Sequence, residues 1–291
     1  MNRSNCVDRV VVVVLDGLRA DAVPLFPLPA MRALARRGAH TYRGLSVQPS
    51  ITVSALTSLL TGASPEVHRL RSDHHLVTRS IGPLHPIPML LSGFGIPTYC
   101  HLAALPFYAR GIGARVAAQL GAMAYFGGDD ADAIVGHALT RLQQLERGLV
   151  LVHLPDADDA GHAAGWMSPT YRRAALGLDT ALERLVRETG VLDDPRTVLI
   201  ALADHGGGGV DPHHHNSAHP LDMTIPIMFL GARIAPHELP AGTSLLDVAA
   251  TIPWLLGVEA PASYTGRVMR DVIHGSPHIM PSPVEHAAAA A

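Results

Sequence analysis

The sequence predicts an α/β protein with a mostly parallel central sheet and helices on both faces. Two observations carry this. Three short apolar runs, Val10–Leu15 (VVVVVL), Leu149–Leu154 (LVLVHL) and Thr197–Ala203 (TVLIALA), are almost continuously hydrophobic, the pattern of strands covered on both faces. The stretches between them carry apolar residues at helical spacing, and strands alternating with helices imply βαβ units.

Each element has a local reason. Ser54–Leu60 reads as a short helix ended by Gly62. Ile96–His101 is a weaker strand. Asp129-Asp130 follows Gly127-Gly128 as a helix start, and Ala131–Leu145 continues with helical periodicity. Pro169–Arg187 has Ser168 as N-cap and Pro169 in the first turn. Ile225–Leu230 is a second weak strand, and Leu245–Leu256 a last helix. No internal repeat or linker divides the chain, so residues 1–275 are expected to form one domain. The Pro/His/Ala-rich stretch 276–291 is expected to fray.

Composition excludes several classes. With 48% hydrophobic and 16% charged residues among 291, the chain is not disordered. A formal net charge of −3 leaves no basic excess to grip nucleic acid. Two cysteines, Cys6 and Cys100, make no disulfide framework and suit a reducing, cytoplasmic setting. No apolar run is long enough for a bilayer, and Val10–Leu15 is too short for the core of a signal peptide. No nucleic acid and no membrane are therefore expected as partners. The 18 histidines are the unusual count, since imidazole binds metals and transfers protons.

All three strong strands run into aspartate. Leu15 precedes Asp16, Leu154 precedes Pro155-Asp156-Ala157-Asp158, and Ala203 precedes Asp204. Ligands of open α/β sheets bind outside the carboxyl ends of the strands. Three carboxylates delivered to one edge repel one another unless cations neutralise them. Histidines accompany two of them, His162 four residues after Asp158 and His205 directly after Asp204, and a His213-His214-His215 cluster follows Gly206–Gly209. Asp and His together suit Zn²⁺ or a similar divalent ion. Singly, each Asp also fits a helix N-cap or a turn; that reading must be repeated at three strands to account for all of them. Thr52 stands where a helical pattern begins after Pro49. It fits an N-cap, and it equally fits a hydroxyl held where helix N–H groups favour anions.

In order along the chain, LDGLRAD (Leu15–Asp21), PSIT…LLTG…PEVH (Pro49–His68), DxxGHxxGW (Asp158–Trp166), ADHGG (Ala203–Gly207), a histidine before Thr224-Ile225-Pro226, and LLDVAATIPWLLG (Leu245–Gly257) resemble the motifs of the alkaline phosphatase superfamily. The likeness is greatest to its type I phosphodiesterase/nucleotide pyrophosphatase branch and covers most of the chain. It implies an alkaline-phosphatase-like fold and two divalent ions, Zn²⁺ first and Mn²⁺ as alternative. One ion would be held by Asp16, Asp204 and His205 with Thr52 at its open position. The other would be held by Asp158, His162 and a third histidine. Counting back from Pro220 and Thr224-Ile225-Pro226 favours His215 over His213, His214 and His219. The implied activity is metal-dependent hydrolysis of phosphodiester or nucleotide pyrophosphate bonds through a phospho-threonine at Thr52, with two ions about 3.5–4 Å apart. Phosphonoacetate-type or phosphomonoester hydrolysis and a non-catalytic ligand-binding relative are the alternatives. Sulfatase chemistry fits less well, because the family's sulfatases process a Cys or Ser where this chain has Thr52.

Two departures accompany the resemblance. The branch's phosphodiesterases carry Asn three residues after the nucleophile, on a phosphate oxygen, where this chain has Ala55. The region Leu70–Phe126 is short, so little or no cap domain is expected. His40, His68, His101 and His153, and the Asp73-His74-His75 cluster, are read as structural or surface groups.

Overall fold

The computed structural model describes residues 6–72, 84–105 and 107–273. Its strands are β1 (Arg9–Leu15), β2 (Ala39–Leu45), β3 (Thr98–Leu102), β4 (Met123–Phe126), β5 (Gly148–Leu154), β6 (Thr197–Leu202), β7 (Thr224–Leu230) and β8 (His237–Glu238). Its helices are α1 (Ala22–Leu25), α2 (Pro29–Ala35), α3 (Thr52–Thr61), α4 (Pro65–His68), α5 (Ile87–Ser92), α6 (Phe107–Gln119), α7 (Ala131–Gln144), α8 (Asp156–Ala164), α9 (Pro169–Thr189), α10 (Pro220–Met223) and α11 (Leu245–Leu255). The strands form one sheet in the order β4-β3-β5-β1-β6-β7-β2-β8.

The three strong apolar runs lie side by side at the centre. Val12 of β1 pairs with Leu151 of β5 on one side and Ile200 of β6 on the other, all parallel. Every β1 residue from Val10 to Leu15 is fully buried, which is why the run has no polar alternation. Both faces are covered. Tyr99 and His101 face Thr140 and Arg141 of α7, while Phe126 of the adjoining strand lies against Gly113 of α6. The sheet is mostly parallel, as expected. The exception is β7, antiparallel to both β6 and β2.

Several elements had no strong sequence signal. β2 (AHTYRGL) carries His40 and Arg43 and is shifted in register between Thr41 and Gly44. α8 (DADDAGHAA) has no large apolar side chain and buries only Ala157, Ala160 and Gly161. Between Leu70 and Phe126 the described residues form α5, β3, α6 and β4, all belonging to the sheet layer or packed on it, so no cap domain stands among the described residues. Asp73-His74-His75 and residues 276–291 lie outside the described residues.

Candidate metal centre

Parallel β1, β5 and β6 end at one edge, and their C-terminal ends bring the acidic residues together. Asp16 directly follows β1, and Asp204-His205 follow β6 after Ala203. Beyond Pro155, α8 places Asp158 and His162 one turn apart on a single face. Gly17 makes the approach possible. Its φ is +67°, and a Cβ there would lie 2.8 Å from the Asp158 Cα, so only glycine fits both the turn and the neighbouring helix. The turn is held from the far side: Trp166 Nε1–H and the Tyr171 hydroxyl donate to the Gly17 carbonyl at 3.0 and 2.9 Å.

Two groups of side chains result. In the first, Asp16, Asp204 and His205 offer ligand atoms within 4.8 Å of one another, all buried. His205 Nε2 is 3.3 Å from Asp16 Oδ1 and 3.6 Å from Asp204 Oδ2. Thr52, the first residue of α3, brings its hydroxyl 3.4 Å from Asp16 Oδ1 and 3.1 Å from His205 Nε2. In the second, His162 Nε2 lies 3.1 Å from His215 Nε2 and 3.4 Å from Asp158 Oδ2, and His215 Nε2 lies 3.5 Å from Asp158 Oδ1. The groups adjoin: the His205 and His215 rings stack with centroids 3.8 Å apart.

The donor set fits divalent cations. All three histidines use Nδ1 on a backbone carbonyl: His205 on Gly206 at 2.8 Å, His162 on His213 at 2.8 Å, and His215 on Ser50 at 2.6 Å. An Nδ1–H donated in this way leaves Nε2 as a lone pair, and in each case Nε2 faces the acidic group. Asp204 Oδ1 accepts from the Gly17 and His205 amides, whereas its Oδ2 and Asp158 Oδ1 are buried without a hydrogen-bond partner. Burial raises the Asp16 carboxyl well above the ordinary range, and the nearby charges of Asp204 and Asp158 add to it. Burial likewise pushes Asp158 up to about 6 and His215 down to about 4. Orphaned acceptors, crowded carboxylates and neutral imidazoles are what a bound cation would satisfy.

The other candidates fall outside these groups. His213 and His214 are exposed, and His219 caps α10 by accepting from the Leu221 amide. Asp156 turns away to accept from the Ala131 amide, and Asp159 is exposed. Ala55 is fully buried in the hydrophobic core. His68 pairs with Ser58 at 3.0 Å and accepts from the Leu70 amide, a structural role. His153 is different from the reading above: its Nε2 ends 2.8 Å from Asp16 Oδ2. A polar residue inside a strand buried on both faces has no outward direction, and that alone marks it as inward-facing.

Two family models match the chain, "Type I phosphodiesterase / nucleotide pyrophosphatase" over residues 10–79 and "Metalloenzyme superfamily" over residues 121–260. The catalytic subunit of human GPI ethanolamine phosphate transferase 2 is 24% identical over 92% of this chain, which spans 28% of that protein's length. Murine ectonucleotide pyrophosphatase/phosphodiesterase 5, solved in an inactive form in complex with AMP, superposes with a TM-score of 0.69 at 15% identity, covering 87% of this chain and 96% of the other. A phosphonate monoester hydrolase from Silicibacter pomeroyi gives 0.66 at 18% identity, over 95% and 78%. These two structures show the fold, and the two family models between them take in Asp16 and Thr52 on one side and Asp158, His162, Asp204, His205 and His215 on the other. With its parallel sheet, its acidic strand ends and these matches, the chain belongs to the alkaline phosphatase superfamily.

Proposed function

We propose that the protein is a two-metal phosphohydrolase that cleaves phosphodiester or nucleotide pyrophosphate bonds, with Thr52 as the nucleophile. The observation that carries this is the placement of the Thr52 hydroxyl against Asp16 and His205 at the first residue of α3. Asp16, Asp204 and His205, with Thr52, would hold one ion; Asp158, His162 and His215 would hold the other. Bound there, Zn²⁺ or Mn²⁺ supplies Lewis-acid polarisation of the phosphoryl oxygens and favours the alkoxide form of a neighbouring hydroxyl.

The chain's own residues supply the rest. Ile51, the N-cap of α3, gives no side-chain cap, so the first amides of the helix are left for a phosphoryl oxygen. Thr52 Oγ attacks phosphorus, the bond to the leaving alkoxide breaks, and the phosphoryl group rests on Thr52. Attack by water then breaks the Thr52–phosphorus bond and restores the hydroxyl. A small phosphorylated substrate suits this centre, as AMP does the murine relative. A second reading differs only in the acceptor: an alcohol in place of water would make the protein a transferase, the activity named for the human relative that matches 92% of the chain.

The test is turnover of bis-(p-nitrophenyl) phosphate, p-nitrophenyl phosphate, p-nitrophenyl sulfate and phosphonoacetate with Zn²⁺ or Mn²⁺, with and without an added alcohol. The diester should be preferred. Thr52→Ala should lower kcat by about 10³-fold or more while Thr52→Ser retains measurable activity. Wild-type kcat in Thr52→Ala would show that water attacks directly.

A further inference from the structure

The two groups of ligands share one long connection. No helix or strand forms between the end of β6 at Leu202 and the start of α10 at Pro220. This stretch nonetheless carries Asp204 and His205 near one end and His215 near the other. Backbone without a ladder of its own must find hydrogen-bond partners elsewhere if it is to hold a side chain in place.

Asp222 of α10 supplies them. Its side chain belongs to a residue only 1% exposed, and it grips the connection at two points. Oδ1 accepts from the Gly209 amide at 2.9 Å. Oδ2 accepts from the Ser217 amide at 3.1 Å and from the Ser217 hydroxyl at 2.5 Å. A Cβ at Gly209 would lie 2.7 Å from Asp222 Oδ1, so glycine permits the approach. From Ser217 the bonds run on to the ligand. The Ser50 hydroxyl donates to the Ser217 carbonyl at 3.1 Å and accepts from the Asn216 amide at 3.2 Å, and the Ser50 carbonyl meets His215 Nδ1 at 2.6 Å. Asp204 and His205 are held differently. Asp204 Oδ1 accepts from the His205 amide, and His205 Nδ1 meets the Gly206 carbonyl. The Gly206 amide donates to the backbone carbonyl of Asp222 at 2.8 Å, a bond that survives any change of the side chain.

We infer that Asp222 is a positioning residue for His215: by tying Gly209 to Ser217, its carboxylate closes the loop and presents His215 to the second ion before that ion arrives. This rests on the two-metal reading above and adds a part to it. Preorganisation of this kind removes an ordering cost from binding, and groups that orient a ligand from behind typically govern about 10–100-fold in metal affinity. The effect should fall on the Asp158/His162/His215 group and spare the other.

The experiment is Co²⁺ titration, followed by visible absorption, of the wild type, Asp222→Ala, Asp222→Asn and His215→Ala. Hydrogen exchange of the chelated proteins accompanies it. Alanine removes both ties. Asparagine keeps the shape but must turn its NH₂ toward either Gly209 or Ser217, which opens one tie and guards against misfolding of the alanine variant. Circular dichroism first establishes folding. The wild type should bind two equivalents. The folded Asp222 variants should also bind two, one about 10–100-fold more weakly and the other within about threefold of the wild type. Amides of residues 209–217 should exchange about 10-fold faster or more, while those of β1 and β6 keep their rates. Turnover at limiting Co²⁺ should fall with the weakened affinity and return to within about threefold at saturation. Affinities and exchange identical to the wild type would overturn the inference. So would equal weakening of both equivalents, which would make Asp222 a general support of the fold. A wild type that binds fewer than two Co²⁺, or His215→Ala with both affinities intact, would instead overturn the two-metal reading itself.

Discussion

Replacing His215 by alanine removes one of three protein ligands proposed for the second ion. An apparent zinc-binding free energy of about 10–16 kcal/mol shared among four ligands gives about 2.5–4 kcal/mol for each, or about 10²–10³-fold in affinity. The structure adds two local losses: the Ser50 carbonyl gives up a 2.6 Å donor, and the His205 ring loses a stacking partner at 3.8 Å. The first costs about 1 kcal/mol of stability, a few degrees of Tm in a protein of this size, so a folded variant is expected. His213→Ala and His214→Ala are the controls. Both side chains are exposed; His213→Ala keeps the backbone carbonyl that meets His162 Nδ1 and gives up only the exposed 3.1 Å contact of its own Nδ1 with the His162 carbonyl. Zinc affinity by chelator competition, total metal content and kcat/KM should therefore collapse for His215→Ala and stay within about threefold for the two controls. The reasoning would be refuted by a severe loss in His213→Ala or His214→Ala beside a near-normal His215→Ala. A mild effect in all three would remove His215 from the centre.

Other outcomes follow from the same geometry. The purified protein should carry close to two divalent ions, and exhaustive chelation should abolish turnover; elemental analysis without stoichiometric metal, with activity surviving EDTA, would contradict this. Gly17→Ala should destabilise the protein by about 1–2 kcal/mol from its positive φ alone. It should also lower metal content, because the new Cβ meets Asp158; Tm and metal content unchanged together would refute it. His68, buried and held between Ser58 and Leu70, is pushed down to about 4 by burial, against about 6.5 unfolded. The unfolded chain then binds more protons between those values, so the stability His68 contributes is complete above about pH 6.5 and lost as the pH falls toward 4, up to about 3 kcal/mol. In urea titrations the gap between wild type and His68→Gln should narrow by that order from pH 7 to pH 4. A gap independent of pH would show that His68 titrates normally.

The sequence by itself determined the centre of the fold. Val10–Leu15, Leu149–Leu154 and Thr197–Ala203 can be apolar throughout only if both faces are covered, and burial of whole strands depends on composition more than on any partner. It also placed the acidic residues at strand ends, because Asp16, Asp158 and Asp204 each follow such a run within four residues. The helices Pro169–Thr189 and Ala131–Gln144 were legible from periodicity and from caps such as Ser168, which accepts from the Tyr171 amide. What the local pattern could not carry was any element stabilised chiefly from outside. α8 has little apolar surface of its own and is held where β5 ends, and β2 gains its place by pairing with β7. The antiparallel direction of β7 is likewise invisible in TIPIMFL, since burial of a strand does not depend on its direction.

The same division runs through the site. Motif order and the count back from Pro220 pointed to His215. Only the folded chain shows that its ring reaches His162 and Asp158, while the exposed His213 meets the His162 carbonyl and the exposed His214 ring lies beside that of His162, because in an extended loop neighbouring side chains diverge. The clearest case is His153. Along the sequence it is one polar residue in an apolar strand, with nothing to say which neighbour it meets. The parallel register that sets it opposite Val14 is a property of two strands more than 130 residues apart in the chain, and it alone brings the imidazole to the free oxygen of Asp16.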